Sequence, residues 1–318
     1  MNRSPRKAFL WSVLGPLALT ASACAGPFRG AAPITTTVPP TTTTTEAPTT
    51  TVPVQPGWTP IATGPNGVIT DQRNVTVPTG RVMTVVRFRA GQILFNLHIG
   101  SQDPPVGKVI LGPESLSYVS MPEVSNLLAA FNGGFKVNAA AGGVQVDGQV
   151  LAPLTTGFAS FVIDANGSGR LGVWGSTVPV PGEQVSSVRQ NLIPLIVGGQ
   201  ISSQIGNLSQ WGSTLHGVAA PARSALGEDA AGNILYAGSA SALPIDLATA
   251  LSDDGATVAM QLDINPEWVQ CDVATTPGGA LAAAVPGQNR GPNQYLVGWT
   301  RDFVTVLNAA VAPSTAPG

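Results

Sequence analysis

The chain has 318 residues, 43% apolar and only 10% charged, with a formal net charge of −2. That supplies a sizeable core, in one large domain or two smaller ones, beneath a weakly charged and mildly acidic surface. Three Lys (Lys7, Lys108, Lys136) stand against twelve Arg, and no basic run occurs beyond the extreme N-terminus, so nucleic-acid binding lacks electrostatic support; two His argue against a His-rich metal site.

Arg3, Arg6 and Lys7 form a positive n-region ahead of the apolar stretch Ala8 to Thr20, which is short for a membrane span. It ends in Ala21-Ser22-Ala23-Cys24, and small residues before a single Cys resemble the lipobox of bacterial lipoproteins. The resemblance implies a signal peptide over 1–23, lipid on Cys24, and a protein held at the outer face of the cytoplasmic membrane. An ordinary secretory signal with Cys24 incidental is the competing reading, and it also exports the chain. Cleavage removes three positive charges and moves the formal net charge from −2 to −5. Cys271 is then left without a disulfide partner and without a neighbouring His, which favours a buried, inert thiol.

From Gly26 to Gly57 the chain is mostly Thr, Pro and small residues, lacking the aromatic and branched side chains that build a core. Residues 24–57 therefore read as a disordered tether, extended at roughly 3 Å per residue where Pro-rich. One globular domain is expected over 58–311, with a disordered tail at 312–318. Arg81 to Ala90 and Gln92 to Ile99 are rich in β-branched and aromatic residues and predict strands. Pro122 to Ala130 predicts a short helix with Pro at its start. Asp147-Gly148 and Asn166-Gly167 are hairpin-turn pairs. Asp246 to Ser252 predicts a helix, Ala256 to Gln261 a buried strand, and Gln294 to Leu307 at least one late strand. Many strands and few helices, without internal repeats, make an α+β domain with mixed sheets.

The stretch Leu262-Asp263-Ile264-Asn265-Pro266-Glu267-Trp268 places two carboxylates four residues apart, with an amide and an indole between them. A carboxylate at the end of a buried strand should be paired or face a cleft. The stretch serves sugar chemistry, or else Asn265 caps a helix whose first turn holds Pro266 and Glu267. Asn132-Gly133-Gly134 offers positive φ and a nest of N–H groups for an anion, with Lys136 adding a charge; a tight turn explains the same residues. Arg223, alone in the small apolar run Pro221 to Gly227, fits bidentate phosphate binding or a bridge to a buried carboxylate. Arg189-Gln190-Asn191 reads as a polar cluster on an edge strand. His98 and His216 each stand alone, as structural His do. No Gly-x-Ser-x-Gly elbow, Walker loop or dinucleotide fingerprint occurs where it would matter.

Taken in order, Ala130-Phe131-Asn132-Gly133-Gly134-Phe135, Gly142-Gly143-Val144-Gln145-Val146-Asp147-Gly148, Arg223-Ser224-Ala225-Leu226-Gly227 with Asp229 and Gly232, and Gly255-Ala256 through Leu262-Asp263 resemble the phosphodiester glycosidase (uncovering-enzyme-like) family. The resemblance covers roughly residues 80 to 308. It implies an α+β fold and hydrolysis of a sugar-1-phosphodiester, with Asn132, Gly133, Gly134, Arg223 and Asp263 lining the site. The family's usual Leu-Asp-Gly-Gly-Gly-Ser is here Leu262-Asp263-Ile264-Asn265-Pro266-Glu267, which restricts the backbone and removes an N–H. The chain is similar to a divergent, actinobacterial-type lipoprotein branch, in keeping with Arg-over-Lys usage.

The expected activity is hydrolysis of glycosyl-phosphodiester bonds in cell-envelope glycans. Arg223 with Lys136 would hold the phosphodiester, and Asp263 would act as base or nucleophile with Glu267 as acid. Asn132 would orient a sugar hydroxyl and Trp268 would stack on the ring. The separation of the two carboxyls would set the stereochemistry. A divalent cation would be able to replace the acid, but no ligand spacing demands one. The competing expectation is a non-catalytic envelope lipoprotein that binds a glycan or a protein partner.

Overall fold

The computed structural model describes residues 57–105, 111–112 and 115–311. The signal peptide, Cys24, the tether up to Pro56, Lys108 and the tail 312–318 lie outside the described residues.

Three antiparallel sheets make the domain. The largest has eight strands, in spatial order Thr59–Gly64, Gly67–Thr76, Val82–Phe88, Ile234–Ser239, Arg223–Asp229, Ala256–Ile264, Ile196–Val197 and Gln200–Ile201. A five-stranded sheet runs Gln149–Ala152, Val144–Val146, Val185–Gln190, Ala159–Asp164, Gly169–Val173. The third, also five-stranded, runs Ala282–Ala283, Cys271–Val273, Leu127–Asn132, Phe303–Asn308, Ile93–His98. Every ladder between these strands is antiparallel.

Period-two alternation divides the large sheet between two cores. Val86, Phe88, Leu226, Tyr236 and Met260 pack with Phe95, Phe131, Phe161 and Val306 from the other two sheets. Met83, Val85, Ala225, Leu235 and Ala259 pack against Leu247, Ala248 and Leu251 of the helix Pro244–Asp253. That helix begins with Pro at its first position, and Asp246 Oδ2 accepts the Leu243 N–H at 2.7 Å, closing the N-terminal turn.

The two early strands are Val82–Phe88 and Ile93–His98, within the ranges expected. Asp147 and Gly148 hold φ of 50° and 75° at a two-residue hairpin, as the Asp-Gly pair predicts. The helix expected over Pro122 to Ala130 needs correction. Only Met121–Val124 is helical, and Leu127–Asn132 is an inner strand of the third sheet. All six of its residues are buried, and a continuously apolar run has no period that separates a buried strand from a buried helix. Arg189 is likewise not on an edge: Val185–Gln190 is the middle strand of its sheet, and Arg189 is 2% exposed. Among the described residues no helix is long and apolar enough to cross a membrane.

Candidate functional site

The site is built at the end of the strand Ala256–Ile264. Arg223 pairs with Ile264 and Ala225 with Gln261, so Leu262 and Asp263 together oppose Ser224 alone. This β-bulge interrupts the alternation and re-aims Asp263. Its backbone is held from both sides: Asp263 N–H donates to Gly133 O at 2.9 Å, and Ser224 Oγ donates to Asp263 O at 2.9 Å. The chain then turns at Asn265, whose φ is 76°, a left-handed conformation that Asn tolerates better than most residues. Asn265 Oδ1 accepts the Leu215 N–H at 2.9 Å. The segment is a turn leading to Trp268, not the capped helix that Asn265-Pro266-Glu267 also suggested.

Asp263 is 6% exposed and lines a cleft of about 500 Å³ together with Arg301, Trp268, Lys136 and Phe135. Arg301 Nη2 lies 2.8 Å from Asp263 Oδ2 and also donates to Gly134 O at 2.8 Å. Its guanidinium carbon sits 4.9 Å from the centre of the Trp268 ring, a cation–π contact that fixes both groups. Ile264 N–H donates to Asp263 Oδ1 at 2.9 Å. Burial, reinforced by the Asp302 charge, raises the Asp263 carboxyl to about 7; Arg301, the Ile264 N–H and Arg189 pull the other way and lose. A carboxyl poised near neutrality at the wall of a cleft can give or take a proton there.

Of the residues expected to form the site, the structure brings Asp263, Lys136 and Trp268 to one cleft. The others go elsewhere. Asn132 is 3% exposed, and its side chain is spent on the core: Oδ1 accepts from Tyr236 Oη at 3.0 Å and the Gln270 N–H at 3.1 Å, while Nδ2 donates to Ser224 Oγ at 2.9 Å. It positions the bulge rather than facing a sugar. Gly133 and Gly134 do not adopt positive φ and form no free nest, since their N–H groups donate to Asp302 O and Asp302 Oδ2, each at 3.0 Å. What they supply is close approach. A Cβ at 133 would land inside the Asp302 carboxylate, and one at 134 would lie 2.8 Å from Arg189 Cζ.

Arg223 is 1% exposed and does not line the cleft; the guanidinium beside Asp263 is that of Arg301. Glu267 points away and pairs with Arg290 at 2.8 Å, on side chains 46% and 38% exposed. Among the described residues the cleft thus holds one carboxylate, and Glu267 is not placed to act as its acid. Arg301 is the residue that sequence reasoning missed. Its available signal was Arg301-Asp302, two adjacent charges entering a late strand in a chain poor in charge.

His98 is structural: it is buried, stacks on Phe303 at 4.5 Å between ring centres, and bonds Leu116 O and Glu123 Oε1 through its two nitrogens. Cys271 is buried and its thiol is pushed well up by burial, with Asp272 adding to the effect. Among the described residues no three His, Cys, Asp or Glu side chains are grouped to hold a metal ion.

No protein-family model matches the sequence, and neither does any curated protein. The structure is similar to the catalytic domain of zebrafish N-acetylglucosamine-1-phosphodiester alpha-N-acetylglucosaminidase, auto-inhibited by its pro-peptide: 13% identity, 79% of this chain and 87% of that one covered, TM-score 0.48. It is also similar to a hypothetical protein from Synechocystis, at 14% identity over 75% of this chain and 62% of that one, with a TM-score of 0.49.

Proposed function

We propose that the cleft beside Asp263 binds and hydrolyses glycosyl-phosphodiester bonds in cell-envelope glycans. In this reading the chain is exported and lipid-anchored through Cys24, a divergent, actinobacterial-type lipoprotein branch of the phosphodiester glycosidases. One observation carries the reading: a buried carboxyl near its midpoint at neutral pH, paired with a guanidinium on the wall of an open cleft. Asp263 takes a proton from the water that attacks the anomeric carbon, the glycosidic C–O bond breaks, and the electron pair leaves on the phosphate oxygen. A phosphate monoester is a stable leaving group, so a second carboxyl is dispensable. Arg301 and Lys136 supply positive charge for the phosphodiester, Lys136 from an exposed position on the cleft. Trp268 and Phe135 add apolar surface for the sugar.

The test is hydrolysis of sugar-1-phosphodiesters by the wild type and by Asp263→Asn. Loss of about 100-fold or more in turnover is expected for the variant, as for removal of a general base. A base with a pKa near 7 also makes wild-type kcat/KM climb as pH rises through neutrality. Equal turnover in the two proteins, or none on any substrate tried, would sink the proposal. A second reading, a non-catalytic module binding an envelope glycan or a protein partner, is favoured by the position of Glu267 outside the cleft. Glycan binding that survives Asp263→Asn without any turnover would select it.

A further inference from the structure

The cleft beside Asp263 is lined by two unlike sets of side chains. Asp263, Arg301 and Lys136 bring charge, whereas Phe135, Leu192, Leu215 and Ile264 bring only apolar surface. The apolar set is built around a small cluster of its own: buried Phe135 and Ile264 with Ala141, and half-buried Leu192 packed against them. Leu192 sits at φ 60°, a left-handed conformation that Gly or Asn adopts more cheaply, and its N–H donates to Ala141 O at 2.6 Å. What leucine brings there is hydrocarbon. Gly212 lets the segment 208–218 settle on the same cluster: a Cβ at 212 would lie 2.4 Å from Phe135 Cε2 and 3.3 Å from Ile264 Cδ1.

The segment is fixed in place by fully buried Trp211 and by the Leu215 N–H, which donates to Asn265 Oδ1 at 2.9 Å. Its outer side is nevertheless greasy. Of the ten large apolar side chains exposed among the described residues, Leu208, Leu215 and Val218 fall within these eleven residues, each 45% to 49% exposed. One such residue needs no explanation, but three on a segment that lines a cleft mark a contact surface. We propose that the phosphodiester taken by this cleft carries a long alkyl chain: the substrate is a glycosyl phospholipid, with its phosphate at Arg301 and Lys136 and its chain along Phe135, Leu192 and Leu215. A glycan in the chain's place would set its hydroxyls against side chains that offer no hydrogen bond. Attack by water at the anomeric carbon breaks the glycosidic C–O bond, leaves the water oxygen on the sugar and releases an alkyl phosphate. That alkyl phosphate is the half of the substrate that touches the apolar set. The inference rests on the cleft taking a phosphodiester, as proposed above, and narrows which one.

The test is calorimetric titration of the mature chain, residues 24–318 carrying Cys24→Ser so that no attached lipid competes, with methyl phosphate and with octyl phosphate below its micelle concentration. Octyl phosphate is expected to bind about 100-fold more tightly, the effect of burying roughly four methylenes. Leu215→Ser, at an exposed site, should cut that ratio to about tenfold, and Leu192→Asn, which suits the left-handed backbone, should cut it similarly. Octyltrimethylammonium, with the same chain and the opposite charge, should bind at least about tenfold more weakly than octyl phosphate. Equal affinity for the two phosphates, no binding of either, a cation that binds as well, or a ratio unmoved by Leu215→Ser overturns the proposal. Where Leu192→Asn does not fold, Leu215→Ser decides alone. Chain-dependent binding without turnover of any glycosyl phosphodiester would sink the hydrolytic reading and leave this one standing. Turnover of methyl and octyl glycosyl phosphodiesters at equal kcat/KM would do the reverse.

Discussion

Arg301 and Asp302 are neighbours in the chain, and each forms a buried ion pair, but the two pairs behave oppositely. Arg189 and Asp302 are 2% and 0% exposed and meet through two bonds, Nε to Oδ2 at 2.7 Å and Nη2 to Oδ1 at 3.1 Å. Their remaining capacity is taken by Gln190 O, Phe135 O and the Gly134 N–H. Burial works to lower the Arg189 pKa, but the charge and hydrogen bond of Asp302, with the charges of Asp263 and Asp103, together outweigh it and the net shift is upward. Arg301 and Asp263 share a single 2.8 Å contact at the cleft, and there burial wins, lifting the Asp263 carboxyl to about 7. A completely satisfied pair locks a fold, whereas an incompletely satisfied one beside a cavity keeps a proton that can move.

The contrast can be broken by removing each cation in turn. Arg189→Met strands the enclosed Asp302 carboxylate and should cost about 3–5 kcal/mol, seen as a lower urea midpoint at unchanged slope. Arg301→Met should cost only about 2 kcal/mol near pH 6, because Asp263 can neutralise itself by taking up a proton. Equal losses in the two variants would erase the distinction.

The next effect is on pH dependence. The folded pKa of Asp263, about 7, lies above its ordinary value of 3.8, so its stabilising contribution is complete below the unfolded pKa and is lost as pH rises through 7. At about 1.4 kcal/mol per unit this is at most about 4 kcal/mol. Asp272, raised by burial to about 6, contributes with the same sign. Unfolding at pH 5 and at pH 8 should therefore differ, and Asp263→Asn should narrow the gap; an unchanged gap assigns the effect elsewhere. The smallest effect is expected at Glu267→Gln. That pair is solvent-exposed, so stability should move by less than about 1 kcal/mol and turnover should not change. A large loss of turnover would return Glu267 to the chemistry.

Local sequence was enough for much of the architecture. Branched and aromatic runs marked Val82–Phe88 and Ile93–His98, the Asp147-Gly148 pair marked its hairpin, and the helix expected over Asp246 to Ser252 lies within Pro244–Asp253. It also placed Asp263 near the end of a buried strand, because a lone carboxylate in an apolar run needs a partner or a cavity. Leu127–Asn132 escaped, since a run buried on every side carries no period.

Which charge met which was decided only in three dimensions. Arg189 reaches Asp302 across 113 residues, and the bulge opposite Ser224, not alternation, aims Asp263 at the cleft. Gly133 and Gly134 looked like an anion nest, yet they are small so that the backbone can approach the Arg189–Asp302 pair. Residue type and short-range pattern determine backbone preference, because those terms act over a few bonds. Electrostatic partnership depends on distance and desolvation in the folded molecule, so Arg301 rather than Arg223 or Glu267 became the partner of Asp263.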